Sequence, residues 1–194
     1  MLMKNNKTYR LVVTAMLIAI ATVLNEFAVV QLPYGGGVTI FSQVPIIALG
    51  YIFGPAWGLL SGFVMSLLQF LFGLSNLSYV KGFSSYLILI LFDYLLAYTA
   101  LGLGGIFKGK FKNGYIDLTI GTILVCAFRL LCHFISGATI WGDYTNGNSI
   151  GAVLTYSITY NAGYMIPETI ITIIGILALN KFLFPRLDKD GVLK

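Results

Sequence analysis

The chain has 194 residues, of which 58% are hydrophobic and only 10% charged, with a formal net charge of +5 and a mean hydropathy of +0.88. A soluble domain carries about 25% charged residues, and barrel strands give short alternating segments where this chain has long continuous apolar runs. Ordinary soluble folds and β-barrels are thereby excluded, and the expected architecture is an all-α polytopic membrane protein, one six-helix bundle formed by residues 1–194 as a single domain.

Lys4, Lys7 and Arg10 precede the first predicted span, about Leu11 to Gln31. Ala19-Ile20-Ala21 resembles a signal cleavage site, but the apolar run continues to Val30, longer than a signal peptide's core. Pro33-Tyr34-Gly35-Gly36-Gly37 reads as a loop. The second predicted span, about Ile40 to Phe53, is short and contains Pro45, and Gly54-Pro55 closes it with a turn. The third covers about Trp57 to Gly73 and the fourth about Phe83 to Phe107. After the basic loop Lys108 to Gly114 come the fifth, about Tyr115 to Gly137, and the sixth, about Ile150 to Phe184.

Six spans place both termini on one side. That side takes Lys4, Lys7, Arg10, Lys108, Lys110, Lys112, Lys181, Arg186, Lys189 and Lys194, while the opposite side takes only Lys81. The excess of cations therefore sets topology rather than marking a nucleic-acid surface, and the termini are expected in the cytoplasm. Asp93 then lies ~15 Å below the outer surface on the fourth span. His133 lies near the outer end of the fifth, Tyr156 and Asn161 in the outer half of the sixth, and Trp141 in the loop above them.

A carboxylate at the depth of Asp93 costs roughly 2.5–3.5 kcal/mol on insertion scales, so it needs a partner or a task. With Tyr94, His133, Trp141, Tyr156 and Asn161 it forms a candidate cavity open to the outside. Arg129, one turn inward from His133, is expected to pair with Asp93 or Glu168 as a structural contact. Glu168 follows Pro167, which frees the carbonyl of Gly163 and kinks the helix. Ala15 and Ala19 form a small-xxx-small pattern that lets another helix approach closely.

Other chemistries are set aside. Gly104-x-x-x-x-Gly109-Lys110 continues with Phe111 where a phosphate loop needs a hydroxyl, so no ATP site is visible. One histidine and two cysteines do not make a zinc site. Cys126 and Cys132, six residues apart on one helix, stand too far apart for a bridge. No cofactor is expected.

The segments Pro33-Tyr34-Gly35-Gly36-Gly37-Val38-Thr39, Val44-Pro45-Ile46-Ile47 and Gly54-Pro55-Ala56-Trp57-Gly58-Leu59 resemble the thiamine-specific substrate-binding subunits (ThiT) of energy-coupling-factor (ECF) vitamin transporters. So do Leu91-Phe92-Asp93-Tyr94-Leu95-Leu96-Ala97-Tyr98, Cys132-His133-Phe134-Ile135-Ser136-Gly137 and Tyr156 to Glu168. The likeness covers nearly the whole chain in order. It implies six helices with the vitamin held near the outer face. The family's pocket acid and tyrosine fall on Asp93 and Tyr94, and its pocket His, Trp, Tyr and Asn on His133, Trp141, Tyr156 and Asn161. Tyr34 takes the place of the aromatic lid in the first outer loop. The implied partners are thiamine, a transmembrane coupling subunit and two ATPase subunits, with Ala15 and Ala19 as the docking face in a prokaryotic plasma membrane. Thiamine's thiazolium cation suits a carboxylate and aromatic faces, and its aminopyrimidine suits the donors and acceptors of Asn161 and His133. The alternatives are a subunit for another vitamin, such as riboflavin, and a membrane enzyme or proton relay using Asp93, His133 and Glu168.

Overall fold

A computed structural model of the chain describes residues 6–140 and 149–189. Among the described residues, five helices are long and apolar enough to cross a membrane: α1 (Lys7–Glu26), α3 (Pro55–Phe72), α4 (Phe83–Gly105), α5 (Gly114–Ile140) and α6 (Ile150–Phe182). They match five of the predicted spans to within a few residues, and a short α7 (Phe184–Lys189) follows α6. Asn6 starts α1 by accepting from the backbone N–H groups of Thr8 and Tyr9 at 3.0 and 3.3 Å, which satisfies donors that the first helical turn leaves orphaned.

The second predicted span is a shorter element, α2 (Val44–Phe53), ten residues long. At 1.5 Å per residue it reaches about half the ~30 Å hydrocarbon thickness. All of its residues are buried, as expected of a helix that is apolar all round. It packs among α1, α3, α4 and α6 and forms the core of the bundle.

The first span ends earlier than expected. Helix α1 stops at Glu26, and the chain forms an antiparallel hairpin of β1 (Ala28–Gln31) and β2 (Gly37–Thr39) where a longer helix and a loop were predicted. Val29 and Val30 are β-branched and favour the strand. At the hairpin tip Tyr34 and Gly35 both adopt positive φ, 67° and 91°, which reverses the chain within a few residues.

Helix α4 changes its winding along its length. It is α-helical over Phe83–Ile88, a π-helix over Leu89–Leu96, and a 3-10 helix over Ala100–Gly105. The tight last segment is pressed between neighbouring backbones. A Cβ built on Gly102 would stand 2.0 Å from the carbonyl oxygen of Gly58, and one on Gly50 would stand 2.0 Å from that of Gly102. Helix α5 repeats the contact, since a Cβ on Gly121 would stand 2.0 Å from the Gly104 oxygen. Small residues let membrane helices meet backbone to backbone. Gly104 of the false phosphate loop therefore serves packing. Gly102→Ala is expected to lower stability by more than about 3 kcal/mol, because a carbonyl rather than a rotatable side chain must move; thermal unfolding in detergent checks it.

The outer surface of the bundle is apolar like its core. Large apolar side chains such as Met16, Phe72 and Ile170 are exposed, while Ser61, Gln69, Arg129 and Glu168 are buried, the arrangement expected where lipid surrounds the helices. Ala15 and Ala19 lie on an exposed face of α1. At the end of the bundle away from the hairpin, Asp117 accepts from the backbone N–H groups of Gly109 and Phe111 at 2.7 and 2.9 Å. That carboxylate orders the basic loop between α4 and α5. At the same end the Arg10 guanidinium lies 4.0 Å from the Trp57 ring centroid.

Candidate functional site

The π-helical segment of α4 carries Asp93 and Tyr94. Such segments are uncommon and occur often at functional sites. Here the wider turn presents Asp93 to α5. One carboxylate oxygen lies 2.9 Å from His133 Nδ1, and the other accepts from the Ser136 hydroxyl at 2.6 Å. Ser136 follows His133 by three positions, so both stand on one face of α5. The Asp93 and His133 side chains are only 17% and 12% exposed.

In the neutral imidazole, donation to the carboxylate puts the His133 proton on Nδ1. Nε2 is then a lone-pair acceptor, and it is buried with no hydrogen-bond partner among the described residues. A buried polar atom left this way costs about 1–3 kcal/mol, so it marks a place where a donor belongs.

Helix α6 supplies Tyr156, Ser157, Tyr160, Asn161 and Tyr164 to the same cavity. Their spacing of one, three or four residues makes a single stripe. The Tyr156 and Tyr160 rings stack at 5.9 Å, and Tyr160 meets Tyr164 edge-on at 5.8 Å. Asn161 joins α5 to α6: its Nδ2 donates to the carbonyls of Ser157 at 2.9 Å and His133 at 3.2 Å. Its Oδ1 accepts from the Tyr164 hydroxyl at 3.0 Å, and a second lone pair remains.

The cavity has a volume of about 100 Å³ and is closed on one side by Tyr34, Gly35 and Gly36 of the hairpin tip. It adjoins a polar cavity of about 480 Å³ that reaches Gln69, Arg129 and Glu168, with Tyr94, His133 and Tyr164 on the shared wall. The structure thus brings Tyr34, Asp93, Tyr94, His133, Tyr156 and Asn161 together around one space. Trp141 lies outside the described residues.

Tyr94 lines the cavity, but its hydroxyl is already engaged. It donates to the carbonyl of Gly73 at 3.1 Å and accepts from Asn76 at 2.9 Å. Arg129 chooses Glu168 rather than Asp93, at 2.7 Å, and Glu168 also accepts from Thr39 of β2. Asp93 is thereby left to His133 and Ser136.

Tyr160, Tyr164, Ser136, Ser157 and Asn76 were not singled out in the sequence. The tyrosines do carry a signal. Tyr156, Tyr160 and Tyr164 recur every four residues, with Ser157 and Asn161 beside them, which is a polar stripe in an apolar span. Asn76 carries none, because it sits in a short 3-10 turn, Leu74–Tyr79, between spans.

The sequence model of the family described as thiamine transporter protein (Thia_YuaJ) matches residues 11–187. The thiamine transporter ThiT of Bacillus subtilis (strain 168) is 30% identical over 198 residues, covering 96% of this chain and 97% of that protein. Among solved structures, ThiT from Listeria monocytogenes superposes with a TM-score of 0.73 at 22% identity, covering 94% of this chain and 98% of that one. The S component of a bacterial ECF transporter superposes with a TM-score of 0.59 at 24% identity, covering 94% and 97%. Those two likenesses concern the fold, while the family match and the B. subtilis relative concern descent. On that match and that relative, the chain belongs to the thiamine transporter protein family, a family of membrane transporters and not of enzymes.

Proposed function

We propose that this chain is the thiamine-capturing subunit of an ECF importer. The observation that carries the reading is the Asp93–His133 pair, with contacts of 2.9 Å to His133 and 2.6 Å to Ser136, in a cavity walled by tyrosines. Asp93 supplies a negative charge for the thiazolium cation, and tyrosine faces add cation–π attraction. His133 Nε2 accepts from the 4′-amino group of the pyrimidine, and the remaining lone pair of Asn161 Oδ1 takes a second donor. Tyr156 and Trp141 flank the flat rings, Tyr94 closes the wall, and Tyr34 covers the ligand.

The chain acts as one binding unit in a prokaryotic plasma membrane. Its basic loop and termini lie in the cytoplasm by the positive-inside rule, and the hairpin end faces outward. The exposed α1 face with Ala15 and Ala19 docks on a transmembrane coupling subunit. Two ATPase subunits supply the energy, and release occurs inward on docking.

A thermal-shift panel tests this reading. Thiamine at a hundredfold excess over its Kd stabilises by about 2.7 kcal/mol. Riboflavin, which lacks a fixed cation, is expected to produce no shift. Oxythiamine, with oxygen in place of the 4′-amino group, is expected to bind at least about 100-fold more weakly, since a site built for a donor rejects an analogue without it. A shift with riboflavin and none with thiamine overturns the assignment.

A further inference from the structure

We propose that Tyr160 is a latch: its hydroxyl holds the hairpin tip shut over the cavity and sets how fast a ligand escapes. The inference rests on the reading of that cavity as the ligand site. The Tyr160 hydroxyl accepts from the backbone N–H of Gly36 at 3.0 Å and donates to the carbonyl of Pro33. It thereby grips the tip on both sides of Tyr34 and Gly35, which both have positive φ. Position 36 must be glycine for this grip, because a Cβ there would stand 2.5 Å from the Tyr160 oxygen and 3.0 Å from the Tyr164 ring. On the other flank, a Cβ on Gly35 would stand 3.0 Å from Asn76 Nδ2.

The root of the hairpin is held differently. Thr39 bonds to Glu168 and Ser42 in the buried core. Beyond it the Phe41 ring packs on Gly175, where a Cβ would stand 2.6 Å from it. The hairpin thus has a fixed root, and its tip is held by the two Tyr160 hydrogen bonds beside an edge-on contact of Tyr34 with Tyr79 at 5.9 Å. The Tyr160 side chain stacks on Tyr156 and lines the cavity with it, so a ligand in the cavity lies against the latch.

Tyr160→Phe removes both hydrogen bonds and keeps the ring. Stopped-flow measurement is expected to show thiamine dissociating about tenfold faster, with the association rate changed less than threefold, as loosened closure acts mainly on release. Gly36→Ala attacks the grip from the other side and is expected to give the same phenotype. The double variant should be no faster than the faster single, because residues in one contact are not additive.

A second arm needs no ligand. A cysteine at Ser157→Cys lies in the cavity beneath the tip, and a small charged methanethiosulfonate reports its access to water, with the parent carrying only Cys126 and Cys132 as blank. Labelling is expected to accelerate several-fold in the Tyr160→Phe background. Unchanged labelling, or unchanged thiamine release, in folded Tyr160→Phe protein overturns the latch. If the parent fails to bind thiamine, the thiamine reading falls while the labelling arm still decides the latch.

Discussion

Asp93→Asn is expected to weaken thiamine binding by at least about 100-fold. Two unit charges about 4 Å apart interact by ~4 kcal/mol at an effective dielectric constant of 20, and each 1.4 kcal/mol is tenfold in affinity. The variant isolates charge from shape. Asparagine can still accept from His133 Nδ1–H with its oxygen, and its amide can donate to the Ser136 hydroxyl. The fold should therefore hold, which circular dichroism and the unfolding midpoint check. Titration calorimetry with thiamine measures the loss. Binding within threefold of the parent would remove the carboxylate from the recognition scheme.

The largest stability effect is expected at a second acid, Glu168. Arg129 Nη1 and Glu168 meet at 2.7 Å with side chains only 5% and 2% exposed. Breaking such a pair by removing one partner costs about 3–5 kcal/mol, because the other charge stays buried and uncompensated. Arg129→Met and Glu168→Gln should both lose that much in thermal or denaturant unfolding. The double variant Arg129→Met/Glu168→Gln should recover most of it, since no lone charge remains. Glu168→Gln also weakens the hydrogen bond from Thr39 at the hairpin root, yet thiamine affinity should fall far less than in Asp93→Asn. A proton relay through Asp93, His133 and Glu168 predicts the reverse, equal sensitivity of both acids.

The two acids differed in how much the sequence disclosed. Asp93 stood out because no other charge interrupts its apolar run, and His133 and Asn161 fell at matching depth once the cationic loops fixed the direction of the chain. The partner of Arg129 did not follow, because depth along a helix leaves the facing direction open, and Asp93 and Glu168 were both in reach. Spans α1, α3, α4, α5 and α6 were legible as long apolar runs. The hairpin was not, since Ala28 to Gln31 continues the run of α1 and four residues are too few to separate a strand from a helix by periodicity. Helix α2 is buried on every side, so it has no polar face to give a period. Nothing in Leu89 to Leu96 announces π winding, in a segment that packs against α3 and α5. Tyr160 was passed over because aromatic residues are common near membrane interfaces. Its grip on Gly36 links positions 124 apart in the chain.

The π winding of Leu89–Leu96 sets two working surfaces of α4 out of phase. Upstream of its end lies the acid; downstream lie Gly102, Gly104 and Gly105, which need their own facing direction to reach α2, α3 and α5. Each residue of an ordinary α-helix advances the facing direction by about 100°. Winding the same residues as an ordinary α-helix would therefore swing one surface by roughly a quarter turn or more against the other. A regular helix of equal length grafted from another protein could align the carboxylate or the glycine seam, but not both at once.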